Sequence, residues 1–133
     1  MRHACRALIA SPDSERVLLA KRSYHDPAAP GKWALLGGKV DEGETAAQAI
    51  RREVAEEAGI EFIIKDHYAR HSNQSWVTDF YFGYMQGELQ LDPNEHSEAK
   101  FLAVDELSSL EIAFDHKDII VGFLESLAAH RVG

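Results

Sequence analysis

Apolar and polar positions change rhythm several times along the chain, and each change predicts an element. Residues 4–10 form an apolar run ending in the turn cluster Ser11-Pro12-Asp13-Ser14, and residues 17–20 form a second run. The two read as strands paired through that turn. Residues 23–32 hold Pro27, Pro30 and Gly31 and read as an irregular loop, followed by a short strand at 33–36 that Gly37 and Gly38 stop. The period then becomes helical. Ala47, Ile50, Val54 and Ala58 recur at spacings of three and four, which makes one apolar stripe. Thr45 and Gln48 fit a capping box, and Gly59 stands where a left-handed C-terminal cap is wanted, so the helix is predicted over 45–58. Residues 60–64, 77–85 and 101–104 read as strands, the middle one rich in Phe and Tyr. Asp105 opens a short helical piece, and 115–130 a final helix that buries Ile119, Ile120, Phe123, Leu124 and Leu127. Hairpins and crossovers interleaved with helices predict an α/β chain, a mixed sheet with helices packed on it.

Composition narrows the class. At 133 residues, with no repeat or linker, one domain over residues 1–133 is expected. The lone cysteine, Cys5, has no disulfide partner and reads as a small buried hydrophobe in a reducing compartment. A formal charge of −8 argues against a nucleic-acid polymer as partner, since such binding draws its affinity from a basic face. A small anionic ligand stays compatible if a metal cation stands between it and the acids. No run approaches the ~20 apolar residues of a membrane span, and the N-terminus lacks a signal-peptide pattern. No membrane partner and a cytoplasmic location are expected.

Candidate chemistry concentrates on the predicted helix. Glu53, Glu56 and Glu57 lie at i, i+3 and i+4, so they share one face beside the apolar stripe. Like charges at i and i+4 cost roughly 0.2–0.5 kcal/mol, and the helix C-terminus adds an unfavourable dipole. A hard divalent cation removes both penalties. A solvated glutamate face relieved by Arg51 and Arg52 explains the three residues equally well, because glutamate is a good helix former.

The wider segment, GKVDEGETAAQAIRREVAEEAGI, resembles the signature of the Nudix hydrolases at its defining positions: Gly38, Glu44, Arg52-Glu53-Val54, Glu56-Glu57, Gly59 and Ile60. It departs in having Leu36 where many members have proline before the paired glycines. The resemblance implies the Nudix fold, an α/β/α sandwich around a mixed β-sheet. It also implies attack by water on a diphosphate linkage, with Mg2+ as cofactor and Mn2+ as a substitute. On this reading Glu53, Glu56 and Glu57 are metal ligands, joined by the carbonyl of Gly37. Arg52 orients a glutamate, and Glu44 is structural or holds a metal-bound water. The general base is Glu53 or Glu56 on the helix, or Glu95 on a later loop, with Glu98 competing for that loop role.

Arg22 and Lys39 are candidate phosphate partners, with solvated surface cations the alternative. Trp33 and Tyr81 suit either base stacking or the core. His67 and His71 have a spacing that would suit a metal on a helix, but they fall on expected strand and loop. The implied substrate is a nucleoside triphosphate or a nucleoside diphosphate linked to another moiety, such as ADP-ribose, and a homodimer is compatible. The rival reading is a non-catalytic nucleotide-binding sensor. Retention of all four signature glutamates favours the enzyme.

Overall fold

A computed structural model describes residues 2–132. The chain groups into two compact units, each assembled from segments distant in sequence.

The first unit takes the chain up to Ile9 and Leu36–Gln90. It holds β1 (Arg2–Ile9), β4 (Gly37–Lys39), α1 (Ala46–Ala58), β5 (Glu61–Ser72) and β6 (Trp76–Gln86). Its sheet has the order β4-β1-β6-β5, and β1 runs parallel to β6 while its other neighbour is antiparallel. The sheet is therefore mixed, as expected. Capping of α1 also follows the sequence: the Thr45 hydroxyl accepts from the Gln48 amide, Gln48 returns the bond, and Gly59 closes the helix at φ 66°. Its buried face comprises Ala46, Ala49, Ile50, Val54, Glu57 and Ala58, so Ala47 is not the fully buried position the stripe suggested.

The second unit takes Ala10–Leu35 and the chain from Leu91 onward. Here β2 (Val17–Arg22) lies between β3 (Trp33–Ala34) and β7 (His96–Leu102), antiparallel to both. A 3₁₀ helix at Val104–Ser109 and α2 (Lys117–Val132) complete it. All five residues predicted for the buried face of the last helix are buried.

Three expectations need correction. First, β1 and β2 do not form a hairpin. They lie in different sheets, and only an isolated bridge between Ala10 and Val17 survives of that pairing. Both edges of β1 are already filled, by β4 and β6. Second, the paired glycines do not stop a strand but form β4. Gly37 has φ 154°, and a Cβ there would stand 2.1 Å from the Cys5 carbonyl oxygen, so only glycine lets the strand lie this close to β1. Third, the strand expected at 101–104 lies earlier, at His96–Leu102, and Val104 opens the 3₁₀ helix.

Candidate active site

Pairing of β4 with β1 brings Gly37 and Gly38 beneath the last two turns of α1. The Gly37 amide donates to Glu57 Oε2 at 3.0 Å, so this glutamate, although charged, is buried at 6% exposure. Burial of a carboxylate inside a helical apolar stripe is costly without such a donor. Gly38 leaves room for its neighbour: a Cβ there would lie 2.6 Å from the Glu53 carboxylate.

Arg52 organises the rest. Its Nε and Nη2 donate to the two oxygens of Glu44 at 2.8 and 2.9 Å, a planar fork on a planar carboxylate. Nη1 donates to Glu53 at 2.9 Å and to Glu56 at 3.3 Å, and Nη2 also reaches the Lys39 carbonyl. Asp41 stands 3.4 Å away. The Arg52 hydrogen bonds, aided by the Asp41 amide, hold the Glu44 carboxyl at about 2, while Glu44 in turn raises the basicity of the guanidinium. One guanidinium is thus shared by four carboxylates. Arg52 bridges the loop acid Glu44 to the helical acids Glu53 and Glu56.

Among the described residues, no three acidic, histidine or cysteine side chains already stand together in metal-ligating positions. The carboxylates are turned instead onto Arg52 and the Gly37 amide. Their chemistry suits a hard cation: every side-chain donor is a carboxylate oxygen, on one face of one helix, in a formally negative group. Glu56 is exposed and Glu53 half-buried.

The remaining candidates lie on other elements. Lys39 is exposed at the end of β4. Arg22 closes β2 with its guanidinium engaged: Nη2 pairs with Asp26 at 2.6 Å, Nε donates to the Ala28 carbonyl, and the Phe114 ring lies 5.3 Å away. Glu95 is exposed in the turn before β7, its carbonyl accepting from Ser23, and Glu98 is exposed opposite Lys21 within the strand. Trp33 is a core residue, whereas Tyr81 is half-buried. Cys5 is fully buried, and burial pushes its thiol up to about 12, which fits an inert small hydrophobe.

A second constellation escaped the sequence reading. Asp79 of β6 is fully buried and accepts from His3 at 2.6 Å, from His67 at 2.7 Å, and from Arg70 Nε and Nη2 at 2.9 and 3.1 Å. Burial alone would raise this carboxyl, but the bonds from Arg70, His67 and His3 outweigh it and hold it at about 2. His67 and Arg70 are three residues apart, a spacing that places them on opposite faces of a regular strand. Irregular register between His67 and Ala69 brings both onto the Asp79 face, while His71 packs against Phe80 on the other. The available signal was a single aspartate inside the apolar strand Trp76–Gln86, since a charge so placed must be paired.

Comparison with known proteins agrees with these features. A family profile described as NUDIX domain matches residues 1–123. A curated relative, "NAD-capped RNA hydrolase NudC" of Escherichia coli O157:H7, is 33% identical over 109 residues, 77% of this chain and 40% of that protein. Its counterpart in Escherichia coli strain SMS-3-5 is 35% identical over 108 residues, with the same coverage. This chain therefore spans about 40% of the length of those relatives. Among solved structures, a MutT NUDIX hydrolase from Burkholderia pseudomallei superposes with a TM-score of 0.72 at 28% identity, covering 91% of this chain and 95% of that one. A MutT structure from work on Aliivibrio salmonicida and Vibrio cholerae has a TM-score of 0.81 at 21% identity, covering 94% and 98%, and shares the fold.

Proposed function

From the premise that this chain belongs to the Nudix family, we propose that it is a Mg2+-dependent hydrolase of a phosphoanhydride bond in a nucleotide derivative. The observation that carries the reading is the carboxylate group on α1, where Glu53 and Glu56 share one guanidinium with Glu44 and Asp41 while Glu57 stands beside them. Glu53, Glu56 and Glu57 would hold the ion, with the Gly37 carbonyl as a further donor. When bound, magnesium would neutralise the non-bridging diphosphate oxygens and acidify a coordinated water.

The protein's own residues supply the rest. Glu53 or Glu56 accepts the proton of the attacking water, with Glu95 as the loop alternative. Arg52 fixes the direction of the two helical carboxylates through its Nη1 hydrogen bonds. Of the two candidate phosphate partners, Lys39 is the exposed one, whereas Arg22 is paired with Asp26. The substrate is a nucleoside triphosphate or a nucleoside diphosphate carrying a second group. Dinucleotides such as NAD belong in that second class, and the names of the curated relatives put them among the compounds to try.

A hydrolysis screen of both classes, with product identification, tests the proposal. Magnesium-dependent release of phosphate, pyrophosphate or a mononucleotide is expected. Equal rates in a chelator-stripped sample, or tight nucleotide binding with no turnover, would overturn it.

A further inference from the structure

The Asp79 cluster lies on a single cross-strand row with the carboxylate helix. Gly38 of β4 pairs with Cys5 of β1, Cys5 with Asp79 of β6, and Asp79 with Arg70 of β5. Paired residues of neighbouring strands share a face, so the row presents Gly38, Cys5, Asp79 and Arg70 on one side of the sheet. Glu53 marks that side, because its carboxylate occupies the space above Gly38. Two strand spacings, roughly 10 Å, separate Gly38 from Asp79. A diphosphate held at Glu53 and Glu56 therefore has the cluster within reach of whatever it carries.

The chemistry of the cluster is specific. Asp79, an ionised carboxylate, can only accept, so both imidazoles must place their Nε2 proton toward it. In the neutral ring that leaves Nδ1 of His3 and of His67 as acceptors. Arg70 spends one N–H of Nε and one of Nη2 on Asp79 and keeps its Nη1 protons as donors. The side chains of His3, His67 and Arg70 are 34, 42 and 62% exposed, while Asp79 is covered by them. Arg70 and Asp79 cancel in charge, and two acceptor lone pairs flank the donors. With neutral rings such an edge is poorly matched to a further phosphate, which offers only acceptors. It suits a neutral group bearing both donors and acceptors. Tyr81, packed edge-on against His67 at 5.1 Å, adds an aromatic wall beside it.

We propose that His3, His67 and Arg70, held in place by Asp79, form a specificity site for the neutral hydroxyl- or amide-bearing part of the substrate attached to the diphosphate. The inference rests on the hydrolase reading for the position of the diphosphate. Sugar hydroxyls and nucleobase edges share the required chemistry, and the experiment separates them.

Arg70→Ala, His67→Phe and His3→Phe are compared with the unaltered protein on ATP, GTP, CTP, UTP, dATP and ADP-ribose, with magnesium present. KM should rise about tenfold or more in each variant while kcat stays within about threefold, the pattern of lost ground-state hydrogen bonds. Melting temperature, followed in parallel, should fall by a few degrees in each variant, because each side chain also pairs with buried Asp79. Flattened discrimination among the four ribonucleotides places the contact at the base. Loss of preference between ATP and dATP places it at the sugar. KM within about twofold in all three variants, or kcat and melting temperature falling together, overturns the site. If the unaltered protein hydrolyses neither these compounds nor NAD, the hydrolase reading fails instead. Calorimetric titration with AMP then decides the cluster: about tenfold weaker binding by the variants supports it, and equal binding overturns it.

Discussion

Around Arg52 one cation serves four carboxylates, whereas around Asp79 one carboxylate receives four hydrogen bonds from three basic side chains. Both arrangements belong to the same unit and use the same functional groups in opposite ratio. The first is formally negative, so adding a divalent ion lowers its energy. In the second, Arg70 offsets Asp79 in charge, the bonds close on Asp79, and the exposed parts of the three side chains keep further bonding capacity. On the readings proposed above, the first recruits a divalent ion and the second reads a neutral part of the substrate.

The largest effect that would break this contrast lies in the acidic cluster. Glu56→Gln and Glu57→Gln should each lower magnesium-dependent turnover on the order of a hundredfold or more, since an amide keeps the shape without the charge. Circular dichroism should remain that of the folded protein, and magnesium should no longer raise the melting temperature. Turnover at the unaltered rate in both variants would remove the assigned site.

Next in size, Asp79→Asn removes the common acceptor and sets an amide donor against the imidazole donors. A loss of about 1–3 kcal/mol is expected from denaturant unfolding, the range for a buried polar group left mismatched. Unchanged stability would mean that the closed cluster is not held by Asp79.

Gly38→Ala sharpens the comparison, because the nearest atoms its methyl would meet are those of the Glu53 carboxylate. The added methyl would meet the end of a flexible side chain 2.6 Å away, not backbone. Folding should change by less than about 1 kcal/mol, while the magnesium concentration for half-maximal activity should rise several-fold. An unaltered magnesium requirement would show that Glu53 is free to ligate from elsewhere.

The smallest effect concerns acid. The Asp79 carboxyl, ordinarily near 3.8, and that of Glu44, ordinarily near 4.5, are both held at about 2. The unfolded chain takes up these protons first, so the stability they contribute is complete above about pH 4.5. It is lost as pH falls toward 2. Asp79→Asn and Glu44→Gln should each flatten the decline in melting temperature within that window. The unaltered slope in both variants would contradict the assigned ionisation.

The two clusters also differ in how far they could be read before folding. Glu53, Glu56 and Glu57 share a face because 3.6 residues make a helical turn, and Thr45, Gln48 and Gly59 mark where that helix begins and ends. Every one of those positions lies within fifteen residues of its neighbours. His3, His67, Arg70 and Asp79 come from three strands, with His3 and Asp79 separated by 76 positions. Their meeting depends on the parallel pairing of β1 with β6 and on an irregular register in β5, neither of which leaves a local pattern. The failed β1–β2 hairpin has the same origin, for a turn signal reports that a chain reverses and not which strand it then pairs with.

The amino-acid order by itself determined the capped helix, its row of glutamates, the glycines beside it and the mixed α/β character. These follow from short-range sterics and periodicity, which act between residues close in the chain. Only the tertiary structure decided that Glu57 is buried against the Gly37 amide, that Arg52 bridges Glu44 to the helix, and that Asp79 gathers its three partners. Strand order and register fix those contacts, and they are settled by which buried surfaces and backbone edges satisfy one another across the whole chain.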